Sequence, residues 1–136
     1  MNVIGVKHVP EFKGEDVVLF AADSAGLDIF VAALTEAQQQ GSSRLQRRGR
    51  IHDFVIEAGG ADVELHHDRV VWRLDQTKAG EIIEKLKVLG SSGHPCHHYV
   101  DHMFSPAPTL VLSRDEYRSP SWLTAGKEPI FTDDLA

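Results

Sequence analysis

The chain has 136 residues, 42% of them apolar and 25% charged, which fits one folded domain with a single core and excludes wholesale disorder. Fourteen Lys and Arg against twenty Asp and Glu leave a net charge of −6, which excludes a nucleic-acid binder relying on overall positive charge. No apolar run is long enough to span a membrane, and MNVIGVKHVPEF lacks the basic head and long apolar middle of a secretory signal. With one cysteine, Cys96, there is no intrachain disulfide, so the expectation is a cytoplasmic protein.

Glu15 to Ala22 (EDVVLFAA) is apolar and β-branched and reads as a strand. Asp23 and Ser24 can cap the helix that follows, from about Ala25 to Gln40, with Leu27, Phe30, Val31 and Leu34 as its apolar stripe. Gly41 to Arg50 (GSSRLQRRGR) holds four arginines and no acid, and reads as an exposed, mobile loop. Its functional alternative is an anion contact through Arg44, Arg47, Arg48 and Arg50. Three short strands come next: His52–Ala58, Ala61–His67 and Arg69–Asp75. Gly59-Gly60 and the tight His67-Asp68 joint predict an antiparallel meander. Alternation directs Phe54, Ile56, Val63, Leu65, Val70, Trp72 and Leu74 to one face.

Asp75 or Thr77 caps a second helix, from about Lys78 to Leu89, buried through Ile82, Ile83, Leu86 and Leu89. His97–Asp101 and Thr109–Ser113 read as two more strands, joined through SPAP. Residues 1–117 thus form a single α+β domain, followed by an extended tail over 118–136. The order is β-α-β-β-β-α-β-β, and each helix carries one apolar stripe. The expected architecture is a two-layer sandwich, a mostly antiparallel sheet with both helices on one face. The opposite face would carry Val18, Phe20, Val55, Val71 and Val111, too apolar for bare solvent. The tail, through Trp122, Ile130 and Phe131, or a second subunit is expected to cover it.

The segment HPCHHYVDH gathers His94, Cys96, His97, His98, Asp101 and His102, residue types that ligate zinc and similar divalent metals. The spacing matches neither HExxH nor a paired CxxC. On a strand, His98 and His102 stand roughly 13 Å apart, too far for one ion. A site would need His66 from a neighbouring strand beside His94, Cys96, His98 and His102. The alternative is a partly exposed strand whose histidines bond to neighbours or water. No phosphate loop, GxSxG or kinase signature is present.

From the second helix onward the chain reads AGEIIEKLKVLGSSGHPCHHYVDHMFSPAPTLVLSRDEY. An amphipathic helix leads to a Gly-His-rich strand ending in Val100-Asp101, a Ser105-Pro106 joint and a Leu110-Val111-Leu112-Ser113 strand before Glu116 and Tyr117. This stretch resembles the C-terminal half of small bacterial proteins, some of them grouped with immunity proteins of bacterial toxin systems. The resemblance implies a non-enzymatic binding role and transfers no functional residues. The expectation is a small binding module without a cofactor that associates with itself as a homodimer, or with another protein, through Phe20, Val55, Val71, Trp122, Ile130 and Phe131. The alternative is a metal-dependent, hydrolase-like enzyme built on the histidine cluster.

Overall fold

The computed structural model describes residues 4–12, 15–47, 50–91, 96–114 and 130–132. The elements are β1 (Ile4–Phe12), β2 (Glu15–Ala22), α1 (Ser24–Gln40), β3 (Ser42–Arg47), β4 (Arg50–Ile56), β5 (Ala61–Leu65), β6 (Arg69–Leu74), α2 (Gln76–Ser91), β7 (Cys96–Val100), β8 (Thr109–Arg114) and β9 (Ile130–Thr132). The class is α+β, with both helices and every strand read from the sequence in place. Neither described helix is long and apolar enough to cross a membrane.

The strands divide between two sheets rather than one. The first sheet has the order β7-β8-β2-β1-β9 and the second β3-β4-β6-β5. Pairing is mostly antiparallel, but β2 runs parallel to β8 and β4 parallel to β6. The meander is therefore only half made. β5 and β6 form the hairpin expected at His67-Asp68, while β4 passes over β5 to pair with β6. Gly59, at φ 76, makes a turn into this crossover instead of a hairpin. At Gly60 the chain runs so close to β6 that an added Cβ would lie 3.0 Å from the backbone of Arg73 and Leu74.

Three strands escaped the sequence reading. β1 pairs with β2, with an irregularity between Val9 and Phe12 where Pro10 lacks an N–H to give. β3 occupies the expected arginine loop. SSRLQR has one apolar side chain, Leu45, and its strand conformation comes from pairing along β4 rather than from propensity. β9 lies in the expected tail and pairs with Gly5–Lys7 of β1.

The chain repeats itself in space. Each half runs ββαββ, β1 to β4 and then β5 to β8. Each sheet takes a hairpin from both halves: β1–β2 meets β8–β7, and β5–β6 meets β4–β3. The equivalence extends to the helix starts. Asp23 accepts the Gly26 N–H at 2.8 Å, and Asp75 accepts the Lys78 N–H at 2.6 Å. The helices cross over. α1 leaves the first sheet and packs against β3 and β4 of the second, while α2 leaves the second sheet and packs against β7 and β8 of the first. The helices also pack on each other. They do not share one face of one sheet, because each follows a hairpin whose partner strands belong to the other half.

One core fills the space between. Phe30 of α1 sits 4.7 Å from Phe20 of the first sheet, and 5.1 and 5.2 Å from Phe54 and Trp72 of the second, centroid to centroid. His52 joins this group fully buried, its Nδ1 accepting the Trp72 indole N–H at 3.2 Å. The seven residues read by alternation onto one face of β4, β5 and β6 all contribute to this core. The alternation in β2 was assigned the wrong way round. Val18 and Phe20 point into the core, and Val17 and Leu19 form a second cluster with Val111 on the far face of the first sheet.

Gly60→Ala is expected to lower stability by about 1–3 kcal/mol, because the methyl meets backbone that cannot swing aside. Gly90→Ala, where an added Cβ meets nothing within 4 Å, is expected to raise it by up to about 1 kcal/mol. Urea denaturation of both variants checks the pair.

Candidate functional site

The two sheets are built alike but their far faces differ. On the first, Val17, Leu19 and Val111 are 1%, 0% and 1% exposed within the single chain. These three side chains are covered within the single chain. On the second, the far face opens into a hollow of about 570 Å³. Val55 and Val71 form its floor, and Arg44, Arg69, Arg73 and His66 stand around it with Asp53 and Glu64.

Strand geometry places these groups. Register aligns Arg44 of β3 with Asp53 of β4, Val71 of β6 and Glu64 of β5. One residue pair along, Ser42, Val55, Arg73 and Asp62 make the next row. Side chains two apart on a strand share a face, so all of these point away from the core. Arg44 Nε donates to Asp53 Oδ1 at 2.7 Å, and Arg69 Nη1 stands 3.8 Å from Asp53 Oδ2. Arg73 Nε donates to Glu64 Oε2 at 2.5 Å, and His66 Nε2 is 3.5 Å from Glu64 Oε1.

These pairs orient the guanidiniums without consuming them. Arg44 and Arg73 each engage a carboxylate through Nε, and both side chains reach solvent, which leaves the two terminal Nη groups of each as a fork of donors. Such a fork matches an incoming carboxylate through two parallel hydrogen bonds. The hydrogen bond from Arg73, helped by His66, holds the Glu64 carboxyl below its ordinary pKa against the opposing effect of burial. The same contact raises Arg73.

The sequence-derived residues are distributed as follows. Val55, Val71 and Arg44 come together at the hollow. Phe20 does not, since it is 0% exposed between Phe30 and Trp72. Arg47 ends β3 in register with Arg50 at the start of β4. Arg48, His94 and Trp122 lie outside the described residues. Ile130 and Phe131 enter β9. His66 flanks the hollow on the second sheet, His98 is half-buried on β7 of the first, and His102 is exposed at φ 63 in the loop after β7. Among the described residues no three His, Cys, Asp or Glu side chains gather as a metal site.

Sequence reasoning missed Arg69, whereas Arg73, on the same face as Val71, reads as a partner for Glu57 or Glu64, and the structure pairs it with Glu64. The signal for Arg69 was present: on a strand it shares a face with Val71, and an acid able to meet it stands on an adjacent strand. No protein family matches the chain, and no curated protein or solved structure matches it either.

The sign of the Glu64 effect is set by its lowered pKa. The Glu64–Arg73 contact contributes stability above the ordinary glutamate value, and the contribution is lost as pH falls through the lowered folded-state value. Carboxyl-detected NMR titration is expected to find Glu64 below the ordinary range in the native protein and returned toward it in Arg73→Ala. An unchanged Glu64 titration in that variant would contradict the geometry.

Proposed function

We propose that this protein is a non-enzymatic binding module that holds an acidic segment of a partner protein on the far face of its second sheet. One observation carries this reading. Two sheets of the same construction differ in that one far face buries Val17, Leu19 and Val111 at its centre, and the other is open and carries three guanidiniums among Asp53, Asp62 and Glu64 on a chain of net charge −6. Asp53, Asp62 and Glu64 balance these three charges, so the face is neutral on an acidic molecule and repels an incoming carboxylate less than the rest of the surface does. Arginine is among the residues enriched at protein interfaces and at their energetic centres. Val55 and Val71 supply an apolar floor beneath the charges.

The resemblance read from the C-terminal half, to small bacterial proteins of which some are grouped with toxin-immunity proteins, would carry the same implication, a role in binding. Self-association through the apolar centre of the first sheet's far face loses its motive, since those side chains are already buried within one chain. The charged face of the second sheet is poorly suited to its own copy, because the molecule as a whole is acidic and the fork-shaped donors call for carboxylates in an array that its own open face, already paired internally, does not offer.

Titration of isotope-labelled protein with octaglutamate at low salt is expected to shift amide signals of β3, β4 and β6. Those shifts should vanish at high salt and in the double variant Arg44→Glu/Arg69→Glu, with circular dichroism unchanged. Shifts confined to the first sheet, or none at all, would overturn the proposal.

A further inference from the structure

The two sheets also differ at their edges, and the difference points to how a partner is held. In the first sheet the edge strand β7 is occupied from outside. Lys85 Nζ donates to the Tyr99 carbonyl at 2.5 Å and Lys78 Nζ to the Asp101 carbonyl at 2.8 Å. Glu81 stands between the two lysines, 3.2 Å from Lys78 and 3.0 Å from Lys85, and holds both in place. Lysines on an edge are a common guard against an added strand.

The equivalent edge of the second sheet is β3, and it has no such guard. Counted from the capping aspartates, the places of Lys78 and Lys85 in α2 are held in α1 by Gly26 and Ala33, which have nothing to reach with. The Ile56 N–H donates to the Gly41 carbonyl at 2.9 Å, which fixes the alternation along the β3–β4 pair. Ser43, Leu45 and Arg47 turn their backbone groups toward β4, so Ser42, Arg44 and Gln46 turn theirs to the open edge. All three are exposed. Among the described residues nothing hydrogen-bonds to these outward groups. The opposite edge of this sheet is taken: Val63 N–H donates to the Ser105 carbonyl and Phe104 N–H to the Ala61 carbonyl, both at 2.9 Å.

We infer that the partner's acidic segment binds as an added antiparallel strand on β3. This rests on the binding role proposed above and specifies its geometry. Charge selects the occupant, since β3 itself (SSRLQR) carries two arginines, Arg44 and Arg47, and no acid. In an antiparallel addition, the residue opposite Arg44 shares its face of the sheet and turns its own N–H to the β3 edge. A segment with a carboxylate at every second position therefore sets one beside the Arg44 fork and the next along the same face, while its backbone satisfies Ser42, Arg44 and Gln46. Main-chain bonds supply affinity and alternate side chains supply specificity, as in other strand-addition complexes.

The test uses the full chain and a short peptide alternating threonine and glutamate, with two isomers N-methylated either at every glutamate amide or at every threonine amide. All three carry the same charge. Methylation at the glutamate amides is expected to weaken binding about tenfold or more, and methylation at the threonine amides to leave it unchanged. Gln46→Pro, which removes one edge-facing N–H and no bond to β4, should weaken the unmodified peptide as well. Salt-sensitive binding equal for all three peptides would overturn strand addition and leave the acidic-partner reading standing. Failure of the unmodified peptide to bind would overturn both.

Discussion

The exchange of hairpins between the two halves of the chain is the constraint from which the rest follows. Neither half holds a complete sheet. β1–β2 has its other pairing partner in β8, and β6 has its own in β4, so both parallel contacts join strands from opposite halves. Burial and backbone pairing are thereby made interdependent: opening one half strips a hairpin from both sheets. Phe30 sits where this coupling is tightest, in ring contact with the first sheet through Phe20 and with the second through Phe54 and Trp72. Aromatic pairs of this kind stabilise by about 0.5–1.5 kcal/mol beyond the area they bury.

The exchange also accounts for two far faces instead of one. A single sheet with both helices on one side would present one bare surface. Two sheets wrapped around the same helix pair present two, and the chain treats them differently. On the first, valine and leucine are buried. On the second, arginines, carboxylates and an imidazole surround a valine floor. The edges diverge in the same sense. β7 is blocked by lysines that α1 lacks at the matching places, and β3 keeps its outward backbone groups exposed. Open face and open edge meet at Arg44, whose side chain belongs to one and whose backbone belongs to the other.

Local structure was legible in the sequence where periodicity and capping are strong. The helical stripe of Leu27, Phe30 and Leu34, the aspartate caps, and the alternation through β4, β5 and β6 all led to the right element and the right buried face. In β2 the run VVLFAA is apolar on both sides, so alternation could not choose a face, and Phe20 was assigned outward when it is central to the core. β3 was illegible for the opposite reason, since its polar, arginine-rich sequence becomes a strand only by lying along β4. The division into two sheets rests on the β2–β8 and β4–β6 pairings, which join segments far apart in the chain and leave no local signal. The candidate face followed the same rule. Arg44, Val55 and Val71 were singled out separately, but only the register across four strands brings them together with Arg69 and Arg73. The histidines were conspicuous in composition, and their described members are spread over β1, the buried core at β4, the β5 end, the β7 strand and the loop after it.

The central claim is that an acidic protein turns one neutral, arginine-bearing face to its surroundings. Paramagnetic relaxation by a neutral and by an anionic soluble gadolinium chelate, compared residue by residue, measures this without assuming a ligand. Repulsion by the net charge should reduce the effect of the anionic chelate over most of the molecule. The account predicts that this deficit is lifted around Arg44, Arg69 and Arg73, with the anionic probe relaxing the far face of the second sheet as much as the neutral one. A uniform deficit of the anionic probe that includes those three arginines would contradict it.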